Sequence, residues 1–150
     1  MSSVAQSAQT TYVRLRVAQH LLAIAAGRVE EFADYRVPVP LPSAPAHLLG
    51  LMPLRDRSVP LVALDIFLAT AVCCEPRRVV IVVCDGMRVG IVCDEIVGMR
   101  DIPNEQLTPL PRSMPNGIHP YVTHEHATDS GVVRVLDVSA LLAAARVRKP

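Results

Sequence analysis

Between residues 79 and 93 two apolar runs, Val79-Val80-Ile81-Val82-Val83-Cys84 and Met87-Arg88-Val89-Gly90-Ile91-Val92-Cys93, flank the pair Asp85-Gly86. Asp-Gly between β-branched runs is the pattern of a two-residue hairpin turn, because both residues tolerate positive φ. The hairpin sets Cys84 opposite Met87 and Cys93 opposite Arg78. Its first arm has no polar alternation, so neither face is left for water. A strand covered on both faces requires a second layer, and here that layer must be another β unit.

The rest of the chain supports such an arrangement. Apolar residues make up 51% of it and aromatics only 3%, so the core is built from Val, Leu, Ile and Ala, and the Val content favours strands. Its 150 residues fit one domain, or two small subdomains sharing a core. Residues 1–10 read as a tail and 147–150 as another, leaving 11–146 as the folded part. Tyr12 to Val17 alternates with period two, as a half-buried strand does. Leu21 to Ala25 continues as a strand, and Val29-Glu30-Glu31-Phe32 is expected on a short helical turn. Pro38, Pro40, Pro42 and Pro45 make 37–45 a stiff extended connection. Ala46 to Leu49 suits one helical turn, Asp65 to Thr70 a short helix, 102–120 an irregular crossing and Val132 to Leu136 a late strand. A terminal helix from Ala140 to Arg146 is expected with Ser139 as its cap and Arg146, Arg148 and Lys149 at its carboxyl end. Each half thus runs strand, strand, proline-rich crossing, strand, giving subdomains of about 18–75 and 76–138 between which the termini can cross.

A second hairpin, Gly50 to Leu64, carries Arg55-Asp56-Arg57 at its tip. In an extended chain Arg55 and Arg57 would project to one side and could meet a carboxylate-bearing partner. Pro60 confines the following arm to an edge or irregular strand, and an edge can accept a partner.

Several functions are disfavoured. Fifteen basic and fourteen acidic residues leave a net charge of +1, which supplies no field for nucleic acid or an anionic membrane. No apolar run approaches a membrane span, and the amino terminus lacks a secretory signal. Cys73, Cys74, Cys84 and Cys93 have no CxxC spacing, and the hairpin register holds Cys84 and Cys93 roughly 20 Å apart, so they read as free thiols in a reducing cytoplasm. Phosphate-binding and nucleophile motifs are absent. The Asp94-Glu95 pair points to opposite faces of a strand and cannot act as paired carboxylates. His124-Glu125-His126, with His119 as a third ligand, is the one cluster that suggests metal chemistry. It sits in what reads as a loop among Thr, Asp, Ser and Gly, which favours solvated histidines over a zinc site, and a small metal-binding protein or enzyme is the alternative reading.

From Tyr12 to Leu142 the chain resembles the CheW-like family of chemosensory adaptors. Val29-Glu30-Glu31-Phe32 is similar to its V-x-E-I. Leu41-Pro42-Ser43-Ala44-Pro45 leading to Leu48-Leu49-Gly50 is similar to its proline segment before a Gly, and Arg55, Val59-Pro60 and Leu64 are similar to its NLRG-x2-VP-x2-DL hairpin. Val89-Gly90-Ile91-Val92-Cys93-Asp94-Glu95-Ile96 is similar to VGIVVDxV, and Ile102-Pro103, Tyr121-Val122-Thr123 and Val135-Leu136-Asp137 follow in order. The resemblance implies two five-stranded SH3-like barrels on a common core, with short helices and a C-terminal helix. It implies no active site and no cofactor. The partners it implies are the cytoplasmic tip of a methyl-accepting receptor and the regulatory domain of a CheA-type histidine kinase. The adaptor would be cytoplasmic, associated with receptor arrays at the inner membrane, and a monomer in isolation. Val29, Glu31, Gly50 and Arg55 would face the receptor, while kinase-facing residues are not assigned. Three departures bear on the partner: Pro53 where Asn is usual, Asp56 for Gly, and Ala63 for Asp. They leave the main chemotaxis system and a pilus-type or other alternative system both open.

Overall fold

The computed structural model describes residues 8–67, 74–110, 121–129 and 131–145. Eleven strands and two helices occur among them: β1 (Gln9–Val17), β2 (His20–Ala25), β3 (Val29–Asp34), β4 (Leu48–Leu54), β5 (Arg57–Ala63), α1 (Leu64–Phe67), β6 (Arg78–Cys84), β7 (Met87–Cys93), β8 (Glu95–Pro103), β9 (Thr108–Pro109), β10 (Val122–Thr128), β11 (Gly131–Leu136) and α2 (Val138–Ala145). They form a six-stranded sheet in the order β8-β1-β2-β11-β10-β9 and a five-stranded sheet in the order β3-β6-β7-β5-β4. The expected two-barrel, mainly β architecture is present, with the two-residue β9 as the sixth strand of one sheet. No helix among the described residues is long and apolar enough to cross a membrane.

The β6–β7 hairpin has the expected register, Cys84 opposite Met87 and Cys93 opposite Arg78. Val79 to Val82 are fully buried, and alternate residues serve two cores. Val80, Val82, Val89 and Ile91 meet Leu15, Val17, Leu22 and Ile24 of the other sheet, together with Leu141 and Leu142 of α2. Val79, Ile81 and Val92 instead fill the interior of their own barrel with Met52, Val59 and Leu61. Gly90 lies on that inner face, where a Cβ would come within 2.7 Å of both Leu61 and Val79. The continuous apolar arm is therefore the partition between two packed units.

Sheet membership divides the chain differently from a cut near residue 76. The 78–93 hairpin belongs with β3, β4 and β5, while β1 and β2 pair with β8 and β11. β2 pairs β11 in parallel, a contact between chain segments that no local pattern announces. Other local expectations also shift. Val29 to Phe32 form the edge strand β3, and the helical turn is the short 3-10 segment at Ala26–Arg28 just before it. Pro60 lies on a strand flanked by β4 and β7, yet β7 pairs only with Leu61, Val62 and Ala63, so the missing N–H falls where that side is open. At 46–47 the chain makes a turn and enters β4 at Leu48, without a helical turn through Leu49. α2 starts at Val138, and its cap is Asp137, whose Oδ1 accepts the Ala140 N–H at 3.1 Å; Ser139 instead lies 3.1 Å from the Cys84 thiol. The expected positions of Cys73, His119, Arg146, Arg148 and Lys149 lie outside the described residues.

Candidate functional site

The five-stranded sheet has two edges, β3 and β4, which face each other across the barrel mouth. Between them is a shallow depression of about 190 Å³ whose walls include Ala33, Arg36, Met52 and Leu54, with Glu31 and Arg55 at its rim. The side chains of β3 alternate in burial, Val29, Glu31 and Ala33 being more covered than Glu30, Phe32 and Asp34.

Glu31 and Arg55, far apart in sequence, meet here. Arg55 Nη1 donates to Glu31 Oε1 at 3.0 Å and Oε2 at 3.3 Å, and Nη2 donates to Oε1. A guanidinium fork on a carboxylate is a strong, orientation-specific contact. Arg55 does not sit on an extended arm beside Arg57. It occupies the turn between β4 and β5 with φ of 56°, and Arg57 opens β5 opposite Leu54. The positive φ that a Gly at position 56 would ordinarily supply is thus carried by Arg55. Asp56 does not capture the guanidinium. The clasp leaves Arg55 65% exposed and Glu31 27% exposed, so the arginine is the accessible half.

The other two residues assigned by resemblance are structural in this geometry. Val29 packs against the common core. Gly50 is buried with φ of 139°, and a Cβ there would lie 2.2 Å from the Val39 carbonyl oxygen. This close approach lets Val39 exchange two 2.8 Å backbone hydrogen bonds with Leu51, which ties the proline-rich connection onto the β4 edge.

Two further ion pairs lace β3 to its sheet. Asp34 accepts from Arg78 at 2.9 Å. Glu30 accepts from Arg88 Nε at 2.7 Å and Nη2 at 2.8 Å, which lowers the Glu30 pKa and raises that of Arg88. Sequence reasoning missed Arg88, because nothing local links it to a carboxylate 58 positions away.

Asp94 and Glu95 do diverge. The Asp94 carboxylate accepts backbone N–H groups from Ala18 at 2.6 Å and from Glu75, clamping the β1–β2 turn and the entry to β6, whereas Glu95 pairs with Arg16 at 3.4 Å. The histidines occupy strand β10, not a loop. His124 Nδ1 lies 2.9 Å from Thr123 Oγ1, and the buried His126 places Nδ1 3.3 Å from the Gln106 carbonyl. Among the described residues no three His, Cys, Asp or Glu side chains are grouped to hold a metal. Cys74, Cys84 and Cys93 are free thiols. Burial, with Asp94 nearby, pushes Cys74 and Cys93 up to about 12.

Fold and site together define a two-barrel β domain whose distinctive polar feature is an ion-paired clasp at a groove between strand edges. The CheW-like domain profile matches residues 11–146. The chain therefore belongs to the CheW-like family. Its fold is similar to the crystal structure of the scaffolding protein TtCheW from Thermoanaerobacter tengcongensis, with a TM-score of 0.77 and 18% identity over 87% of this chain and 90% of that one. No curated protein sequence matches it.

Proposed function

We propose that the protein is a non-catalytic adaptor of a bacterial chemosensory array, joining the tip of a methyl-accepting receptor to the regulatory domain of a CheA-type histidine kinase on the cytoplasmic side of the inner membrane. Family membership supports the scaffold class. The observation that carries the receptor contact is the Glu31–Arg55 clasp, which holds a largely exposed guanidinium at the mouth of a groove between two strand edges. An acidic helical surface fits such a site, since its carboxylates can share the free face of the Arg55 fork. Val29 and Gly50 contribute indirectly, Val29 by anchoring β3 on the common core and Gly50 by admitting the Val39 connection onto β4.

The departures from the family pattern support a particular partner within that class. Pro53 is exposed on the β4 edge and offers no N–H, so β4 is blunted against strand addition, and a helical partner is favoured over an extended one. The test is co-sedimentation of the full chain with membranes carrying receptor arrays, with and without the kinase. Binding that depends on receptor and is lost in Arg55→Glu supports the proposal, and binding unaffected by that change removes Arg55 from the interface.

A further inference from the structure

The receptor contact just proposed rests on where Glu31 sits, and Glu31 follows the one break in its strand pairing. Val29 lies opposite Val82 and Glu31 opposite Ile81, so Glu30 is the extra residue of a β-bulge and has no counterpart on β6. A bulge re-aims the side chains beside it. Here it sends two consecutive carboxylates to two arginines on different elements, Glu31 to Arg55 on the β4–β5 turn and Glu30 to Arg88 on β7. Arg88 lies opposite Val83 on the strand beyond β6, so its side chain spans β6 to reach the bulge. The Glu30–Arg88 contact is two-pronged, and its members are 34% and 33% exposed, with both ends of the pair sheltered to a similar degree.

We propose that Arg88, acting through Glu30, is a positioning residue: it pins the β3 bulge and so sets the orientation of the Glu31–Arg55 clasp that an acidic helical partner meets. At a bulge the ladder bonds that would fix the peptide are missing, and the carboxylate of Glu30 supplies the tie. Without it the 29–31 backbone can rotate, which moves the Glu31 carboxylate relative to the fork of Arg55. Arg88 itself does not line the depression.

The experiment uses the full chain and a soluble cytoplasmic fragment of a methyl-accepting receptor from the same cell as the probe. Rotation of the Arg55 guanidinium about Nε–Cζ is followed by NMR in the free protein, where a two-pronged clasp slows it. Arg88→Gln is expected to melt close to the wild type, to speed this rotation, and to weaken receptor binding by about threefold to tenfold. In a Glu31→Gln background the same change adds no further loss, and the exchange Glu30→Arg with Arg88→Glu restores slow rotation. Unchanged rotation in Arg88→Gln, or losses that add to those of Glu31→Gln, overturns the proposal. If the wild type binds no receptor fragment, the adaptor reading fails, and the rotation measurement still decides the positioning role.

Discussion

The guanidinium of Arg55 grips the carboxylate of Glu31 across the gap between the two edges of the five-stranded sheet, and the arginine does so from a turn position with φ of 56°. A closed barrel would need a strand-to-strand ladder at that gap. The clasp takes its place on one side of the mouth, leaving backbone edges and a half-exposed ion pair where a partner can approach.

Because Arg55 is largely exposed, its pair with Glu31 contributes little to folding, on the order of 1 kcal/mol or less. Arg55→Glu is expected to leave the denaturant midpoint nearly unchanged while costing about 2–5 kcal/mol of receptor binding. Chemical denaturation and co-sedimentation on the same preparation check the two halves of this statement.

Gly50→Ala should behave in the opposite way. The new methyl would collide with the Val39 carbonyl, and the residue would be held at φ of 139°, so the Val39–Leu51 bridge must open. A loss of about 2–4 kcal/mol in equilibrium unfolding is expected. A variant of wild-type stability would show that the proline-rich connection can lift off without cost.

Asp94→Ala removes the acceptor of two backbone N–H groups, those of Ala18 and Glu75. Leaving such donors unpaired in a half-buried junction costs about 1–3 kcal/mol. Hydrogen exchange should quicken at Ala18 and Glu75 ahead of the hairpin 78–93, and uniform quickening would argue against a local clamp.

Cys74 and Cys93, pushed to about 12, carry about a thousandfold less thiolate at a given pH than an ordinary thiol. Alkylation of the folded protein by iodoacetamide, read by peptide mass spectrometry, should be correspondingly slow at both and fast after unfolding. Rapid native labelling of either would contradict the packing described.

Acid should weaken the fold in two steps. His20 has a lowered pKa, caused first by burial and then by Arg134, so its charging favours the unfolded chain. Stability from this source is complete above the ordinary histidine value of 6.5 and falls as pH drops through it toward the folded value. Glu30 has a pKa lowered by Arg88, so its contribution is present above the ordinary 4.5 and fades as pH falls through the folded value. Unfolding measured against pH should show His20→Gln flattening the upper step, while the solvent-screened Glu30–Arg88 pair makes the lower one shallow.

How far the sequence reached follows from the range of its signals. Asp85-Gly86 and the Val-rich arms fixed a hairpin and its register, because turn chemistry and side-chain period act over a few residues. The same uninterrupted arm required cover on both faces, which Val80 and Val79 receive from two different cores. Glu31 and Arg55 were singled out by resemblance, but nothing in the chain indicated that they bind each other. Val29 to Phe32 follow a Leu- and Ala-rich segment whose local preference is helical, and pairing with β6 overrides that preference.

The sequence by itself determined the strands at 12–17, 21–25 and 132–136 and the covered 79–93 hairpin with its separated thiols, since each depends on nearest neighbours along the chain and on the apolar period. Only the tertiary structure decided which hairpin joined which sheet, that Arg88 ties the bulge at Glu30, and that Glu31 closes on Arg55. Those are contacts between residues far apart in sequence, set by sheet order and strand register, and the energy that selects them comes from the shared core as a whole.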